Sequence, residues 1–172
     1  MKFLKRLYYK LCSNTKRIEI LRKLGVKIGC NCDIAANTSF GSEPYLISLG
    51  DHVRVTENVR FITHDGAVWV IRKYNPLYKN VDLISPISVG NNVHIGIGAI
   101  IMPGVHIGNN VIIGCGAIVT RDIPDNSVAV GVPCRVIRKI DTYIANHEAD
   151  FLETKNMFSA LKKQFLLEKY QK

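Results

Sequence analysis

The chain has no run of about 18 apolar residues, so nothing in it reads as a membrane span. Its first residues carry no contiguous apolar core, because Lys2, Lys5, Arg6 and Lys10 interrupt it, and no secretory signal is expected there. Cysteine is scarce and odd in number, five in all, which predicts reduced thiols in a cytoplasm rather than a disulfide framework. Cys30 and Cys32 are too close together and too isolated for a zinc site, and read as small residues of the fold. Acidic residues are few. Against 23 Lys and Arg stand 14 Asp and Glu, and the net charge of +9 suits an anionic ligand or surface. What remains, 172 residues with 47% hydrophobic and 22% charged, is ordinary usage for one globular domain.

What the chain does have is a repeat. In "VGNNVHIGIGAIIMPGVHIGNNVIIGCGAIV" an aliphatic residue recurs at Val89, Ile95, Ile101, Ile107, Ile113 and Val119, with Val93, Ala99, Val105, Val111 and Ala117 as a second small series between them. Every sixth position fits neither the period of a helix nor the alternation of a hairpin. Gly and Asn fill most of the gaps, and these residues tolerate the positive φ of a sharp corner. Each unit is therefore a very short strand and a turn. Three strands close a triangular coil of about 18 residues, and successive coils stack about 4.8 Å apart. No coil can bury its own apolar face alone, so stacking is the stabilising step.

Weaker units begin at Ile28, Ile34, Phe40, Leu49, Val55 and Phe61. The register slips between Phe40 and Leu49 and breaks between Phe61 and Ile87, which predicts two loops leaving an all-β solenoid. The longer, about residues 64–86, holds the only Trp and a His, and long loops on rigid scaffolds often carry function. Outside the coils the pattern is helical. Phe3, Leu4, Leu7, Tyr8 and Leu11 share one face of a basic amphipathic stretch, and Ile18, Leu21 and Leu24 continue it until Gly25. Such a basic helix can make weak contact with an anionic membrane surface, although capping the open end of the coils is the commoner need. In the tail, Phe151, Phe158, Leu161 and Phe165 fall at helical spacing, which predicts a face packed on a coil or on a neighbouring subunit. The expected organisation is a helical segment over 1–25, coils over 26–140 and a helical tail over 141–172.

The region from "ISVGNNVHIG" to the closing "IPDNSVAVGVPCRVIRKI" resembles the hexapeptide-repeat acyltransferases, and within them the branch of maltose, galactoside, xenobiotic and capsule or lipopolysaccharide O-acetyltransferases. The N-terminal helix followed by "LRKLGVKIGCNCDI" is similar to the capsule and lipopolysaccharide group in particular. The resemblance implies a left-handed parallel β-helix. It also implies a homotrimer with acetyl-CoA in a cleft between subunits and a catalytic His on the loop that interrupts the early coils. By position that residue is His64 in "FITHDGA". A sugar hydroxyl is a poor nucleophile, and a neutral imidazole can take its proton as it attacks the thioester. Asp65 is one candidate to hold the ring or orient the acceptor, and a backbone carbonyl is the other candidate for the ring. Trp69 either stacks on an acceptor sugar or anchors the loop in the trimer.

For acetyl-CoA, the resemblance implies Gly96 and Ile97 beside the pantetheine arm, then Cys115 and Gly116 one coil on, then Thr120 and Arg121. Arg135 and Arg138 fall where the family places basic residues near the CoA phosphates, which a guanidinium can bind bidentately. Ile97 stands where galactoside-type relatives carry Ser, so only backbone contact is left there. His94 lines the cleft wall or solvent, His106 reads as solvated surface and His52 as structural.

The function the resemblance implies is acetyl-CoA-dependent O-acetylation of a sugar hydroxyl in surface polysaccharide synthesis, expected in the cytoplasm or at the inner face of its membrane. The alternative on the same scaffold is acetylation of a drug or an amino-sugar nitrogen. A carbonic anhydrase of the coil type needs three His around zinc, and the His spacing here offers no such set, so no metal is expected. A non-catalytic scaffold would bind no CoA. No nucleic-acid partner is expected.

Overall fold

The computed structural model describes Tyr9 and residues 11–171. Phe3, Leu4, Leu7 and Tyr8 of the basic amphipathic stretch therefore lie outside the described residues. Helix α1 (Asn14–Lys23) starts at Ser13, whose hydroxyl accepts from the Lys16 amide at 3.3 Å. Ile18 and Leu21 are buried against the coils, whereas Leu24 stays exposed.

Three parallel sheets form the sides of a triangular prism. The first stacks β1 (Lys27–Ile28), β3 (Ile47–Leu49), β6 (Ile87–Val89) and β9 (His106–Ile107). The second stacks β2 (Asp33–Ile34), β4 (Val53–Val55), β7 (Val93–Ile95), β10 (Val111–Ile113) and β12 (Ser127–Val130). The third stacks β5 (Arg60–Phe61), β8 (Ile100–Ile101) and β11 (Ile118–Val119). The last strand, β13 (Arg135–Lys139), reverses and pairs antiparallel with β12.

The six-spaced aliphatics point inward and lie in register. Ile34 faces Val55, Val55 faces Ile95, Ile95 faces Ile113 and Ile113 faces Ala129, each at most 1% exposed. In the third side Phe40 stacks on Phe61 with ring centroids 5.0 Å apart. At the corner between the first two sheets, left-handed residues stack as well: Asn31, His52, Asn92, Asn110 and Asn126 all have φ of 53–56°. Their side chains form a ladder, with Asn92 Nδ2 donating to Asn110 Oδ1 at 2.9 Å and Asn110 Nδ2 to Asn126 Oδ1 at 2.8 Å. His52 joins it through Nδ1, 2.8 Å from Asn92 Oδ1.

The open end of the second sheet is closed by α1. Asn14 donates to the Cys32 carbonyl at 2.8 Å and accepts from the Ile34 amide at 3.0 Å, taking the place of a neighbouring strand. The buried Arg17 guanidinium donates to the Ile34 carbonyl at 2.6 Å and the Cys12 carbonyl at 2.8 Å.

Both later segments outside the coils carry helices. The long excursion contains helix α2 (Val68–Tyr74) and a 3-10 turn over Pro76–Tyr78. Pro76 lacks an amide donor and restricts the residue before it, so the helix stops there. The tail is likewise two helices, α3 (Ile140–His147) and α4 (Ser159–Tyr170), and Phe151 lies between them outside both. Phe158, Leu161 and Phe165 are exposed in the protomer, so of the two expected seats, a coil or a neighbouring subunit, the coil of the same chain is not used. Among the described residues no helix is long and apolar enough to cross a membrane.

Candidate active site

The longer excursion leaves the coils just after β5, where the Ile62 amide still donates to the Ile101 carbonyl at 2.9 Å. Its two arms then pair with each other. The Asp65 amide donates to the Leu83 carbonyl at 2.8 Å and the Ser85 amide to the Thr63 carbonyl at 2.9 Å, which clamps His64 opposite Ile84. The shorter insertion, one coil earlier, passes close by. Gly41 has φ of 64°, and a Cβ there would stand 3.1 Å from the Phe61 carbonyl oxygen. Only glycine combines that conformation with that approach. The turn delivers Ser42 and Glu43 beside the base of the excursion.

His64 Nδ1 lies 3.1 Å from Glu43 Oε2 and 3.2 Å from Ser42 Oγ. Glu43 Oε2 also accepts from Thr63 Oγ1 at 2.5 Å, and Thr63 is completely buried. The Thr63 hydroxyl, followed by His64, holds the Glu43 carboxyl below the usual carboxylate range, so it is ionised at neutral pH. An ionised carboxylate only accepts, so the proton of a neutral His64 ring belongs on Nδ1 and Nε2 keeps its lone pair. The ring is half-exposed, 49% for the side chain, while the Glu43 side chain is 17% exposed.

Around this pair is an open cavity of about 400 Å³, lined by Ser42, Glu43, His64, Asp65, Val68, Trp69, Arg72, Asp82 and Ile84 among others. Asp65 does not touch the ring; its Oδ1 accepts from the Ala67 amide at 2.8 Å. The partner of Nδ1 is thus neither Asp65 nor a backbone carbonyl. Arg72 pairs with Asp82 and donates to the Val81 carbonyl at 2.8 Å, tying the far side of the excursion together. Trp69 stands on the rim with 78% of its surface exposed.

The residues assigned to acetyl-CoA lie elsewhere in the protomer. Gly96, Ile97, Cys115 and Gly116 form a stacked corner between the second and third sheets, with the Gly116 amide donating to the Ile97 carbonyl at 2.7 Å. A Cβ on Gly96 would meet the Cys115 amide nitrogen at 2.6 Å, so the stack itself demands glycine there. Thr120 and Arg121 are exposed and follow β11, and Arg135 and Arg138 belong to β13. Arg135 is exposed and donates to the Cys134 carbonyl at 2.8 Å. None of these eight residues lines the His64 cavity. His94 is half-buried in a separate groove on the second sheet beside His52, and burial, then Arg54, pushes its pKa down. His106 is exposed, with Nδ1 2.8 Å from Ser88 Oγ. Among the described residues, no group of three His, Cys, Asp or Glu is placed to hold a metal ion.

Residues 86–121 match the bacterial transferase hexapeptide family of six repeats. Protein CapG of Staphylococcus aureus is 46% identical over 172 residues, covering 98% of this chain and 97% of that one. The chain belongs to the hexapeptide-repeat transferases. Galactoside O-acetyltransferase of Escherichia coli is 47% identical over 100 residues, 58% of this chain and 47% of that protein. Among solved structures, a galactoside acetyltransferase in complex with coenzyme A is 30% identical, with a TM-score of 0.62 over 88% of this chain and 82% of that one. The fold is accordingly the left-handed parallel β-helix, and the protein is an acetyltransferase.

Two residues of this acetyltransferase's cavity escaped sequence reading as partners of the histidine. Ser42 and Glu43 lie 22 and 21 residues before His64, in the stretch where the repeat slips. The slip was the available signal: a repeat that breaks must spend its extra residues outside the coil, and that places polar side chains on a corner.

Proposed function

We propose that the enzyme transfers acetyl from acetyl-CoA to a hydroxyl of a sugar acceptor, with His64 as general base. The observation that carries this is the His64 ring held through Nδ1, with no hydrogen-bond partner for Nε2 among the described residues, at an open cavity that has an indole on its rim. The acceptor oxygen attacks the thioester carbonyl carbon while its proton passes to His64 Nε2. The C–S bond then breaks, and the departing CoA sulfur takes that proton from the imidazolium. Trp69 offers a stacking face, and Asp65 offers an oxygen to a sugar hydroxyl. The setting in surface polysaccharide synthesis follows from the resemblance of the N-terminal stretch to the capsule and lipopolysaccharide group. Five cysteines with no disulfide agree with a reducing cytoplasm.

Arg135 and Arg138 read the 3′-phosphate of the donor, Thr120 and Arg121 flank its path, and the Gly96–Ile97 and Cys115–Gly116 corner lies along its pantetheine arm. The test is thiol release from acetyl-CoA across methyl glycosides, N-acetylhexosamines and nucleotide sugars, with dephospho-acetyl-CoA in parallel. At least one sugar should turn over, the dephospho donor should bind at least about ten-fold more weakly, and Arg135→Ala or Arg138→Ala should erase that difference. No thiol release with any sugar would overturn the function. Undiminished discrimination in both variants would overturn only the phosphate assignment.

The working unit in this proposal is a homotrimer. The residues assigned to the donor stand apart from the His64 cavity, and a neighbouring copy would supply them. The excursion also leaves Trp69, Val70, Tyr74 and Leu77 between 66% and 88% exposed, more apolar surface than a lone protomer usually leaves in one place. Light scattering at micromolar concentration should give about three times 19.3 kDa, and the monomer mass would refute the assembly and the shared site with it.

A further inference from the structure

The His64 ring is not held by its own loop. Its partner comes from the 41–46 insertion on the preceding coil, 21 residues earlier in the chain. That insertion is anchored at both ends of Glu43. Before it, Gly41 turns against the Phe61 carbonyl; after it, Pro44–Leu46 form a 3-10 turn in which the Leu46 amide donates to the Glu43 carbonyl at 3.0 Å. The carboxylate holds two partners, the Thr63 hydroxyl at 2.5 Å and His64 Nδ1 at 3.1 Å, while Ser42 Oγ lies 3.2 Å from the same ring nitrogen. Thr63 is 0% exposed and adjacent to His64, so the same short segment that presents the ring also locks the group that orients it.

We infer that Glu43 is a positioning residue for this acetyltransferase, held by Thr63 and fixing His64 as the Nδ1-protonated tautomer with Nε2 directed at the acceptor. The inference rests on the reading of His64 as base. Two physical effects follow from the contact. Without an acceptor at Nδ1 the ring is free to rotate and to place its proton on either nitrogen, and half of those states have no lone pair where the acceptor hydroxyl lies. During transfer the ring becomes a cation, and a carboxylate at 3.1 Å stabilises that cation more than it stabilises the neutral ring. Both effects act on the chemical step and neither touches the donor. A carboxylate that served only to hold the 41–46 turn would show neither.

The comparison uses the full-length enzyme with Glu43→Gln, Glu43→Asp and Thr63→Val. Glutamine keeps the size but can donate as well as accept, so the Nδ1 proton is no longer demanded. Nitrogen-15 spectra of histidine-labelled protein read the His64 tautomer without any substrate. Wild type should show the Nδ1–H form, Glu43→Gln should lose that preference, and Glu43→Asp should recover part of it. With acetyl-CoA and a methyl glycoside or nucleotide sugar that turns over, Glu43→Gln should lower kcat about 10- to 100-fold while KM for acetyl-CoA changes less than about 2-fold. Thr63→Val preserves the shape of a buried side chain and frees the carboxylate, so its kcat should fall between the two. An unchanged tautomer together with kcat within about 2-fold of wild type in Glu43→Gln would overturn the role. If His64→Gln stayed active while the tautomer responded to Glu43, the base assignment would fail and the positioning contact would stand.

Discussion

His64→Gln should lower turnover by about 10²-fold or more and leave acetyl-CoA affinity nearly unchanged. Glutamine fills much of the same volume, and its amide can still meet Glu43 and Ser42, so the surrounding bonds survive. What it lacks is a basic lone pair at the position of Nε2. The side chain is 49% exposed and contributes nothing to the apolar core, so its loss should not disturb folding or assembly. Steady-state kinetics with acetyl-CoA and a reactive sugar, beside light scattering on the same sample, make the measurement. A turnover within a few-fold of wild type would remove His64 from the chemistry.

Replacing Ile95 by Ala should destabilise the fold by about 2–5 kcal/mol, a large share of the ~5–15 kcal/mol that holds a domain together. Ile95 is 0% exposed and stands between Val55 below and Ile113 above, in exact register on both sides. The rungs cannot close over a gap, because backbone bonds fix their spacing: Thr56 donates to the Ile95 carbonyl at 3.1 Å and Gly96 to the Ile113 carbonyl at 2.9 Å. The missing methyls therefore leave a cavity as well as lost burial. Ile95→Val, which keeps the branched shape, should cost only ~0.5–1.5 kcal/mol. Urea unfolding at fixed protein concentration would test both, and an Ala variant within ~1 kcal/mol of wild type would show that the coil relaxes after all.

The coils were legible because their code is local. An inward aliphatic every sixth residue, with Gly or Asn at the corners, states where each strand lies, and the ladders from Ile28 to Val119 are buried where that spacing puts them. The two breaks in spacing marked both insertions. Their internal structure was not legible: Val68–Tyr74 is a seven-residue helix with no buried face beyond Val68, so it lacks the apolar periodicity that announces longer helices. The helical character of the tail was legible, but its division into two helices was not. Its aromatics follow helical spacing across Phe151 to Phe165, but the α-helix stops at His147 and resumes at Ser159, and those aromatics face outward.

The same division runs through the candidate site. Sequence alone placed His64 at the start of the interruption, since a histidine on the loop of a repeating scaffold is visible by position. It also determined which residues stack, because each coil repeats the separation of the one before. Only the tertiary structure decided what His64 touches. Asp65, its neighbour in the chain, turns to cap Ala67, while Glu43, a full coil away, meets the ring at 3.1 Å. Stacking parallel coils brings residues 21 apart into contact and sends adjacent side chains in different directions. That contact depends on how two insertions fold where they leave the prism, and the turn at Gly41 that brings Glu43 to the ring rests on a close approach to the Phe61 carbonyl that no repeat period encodes.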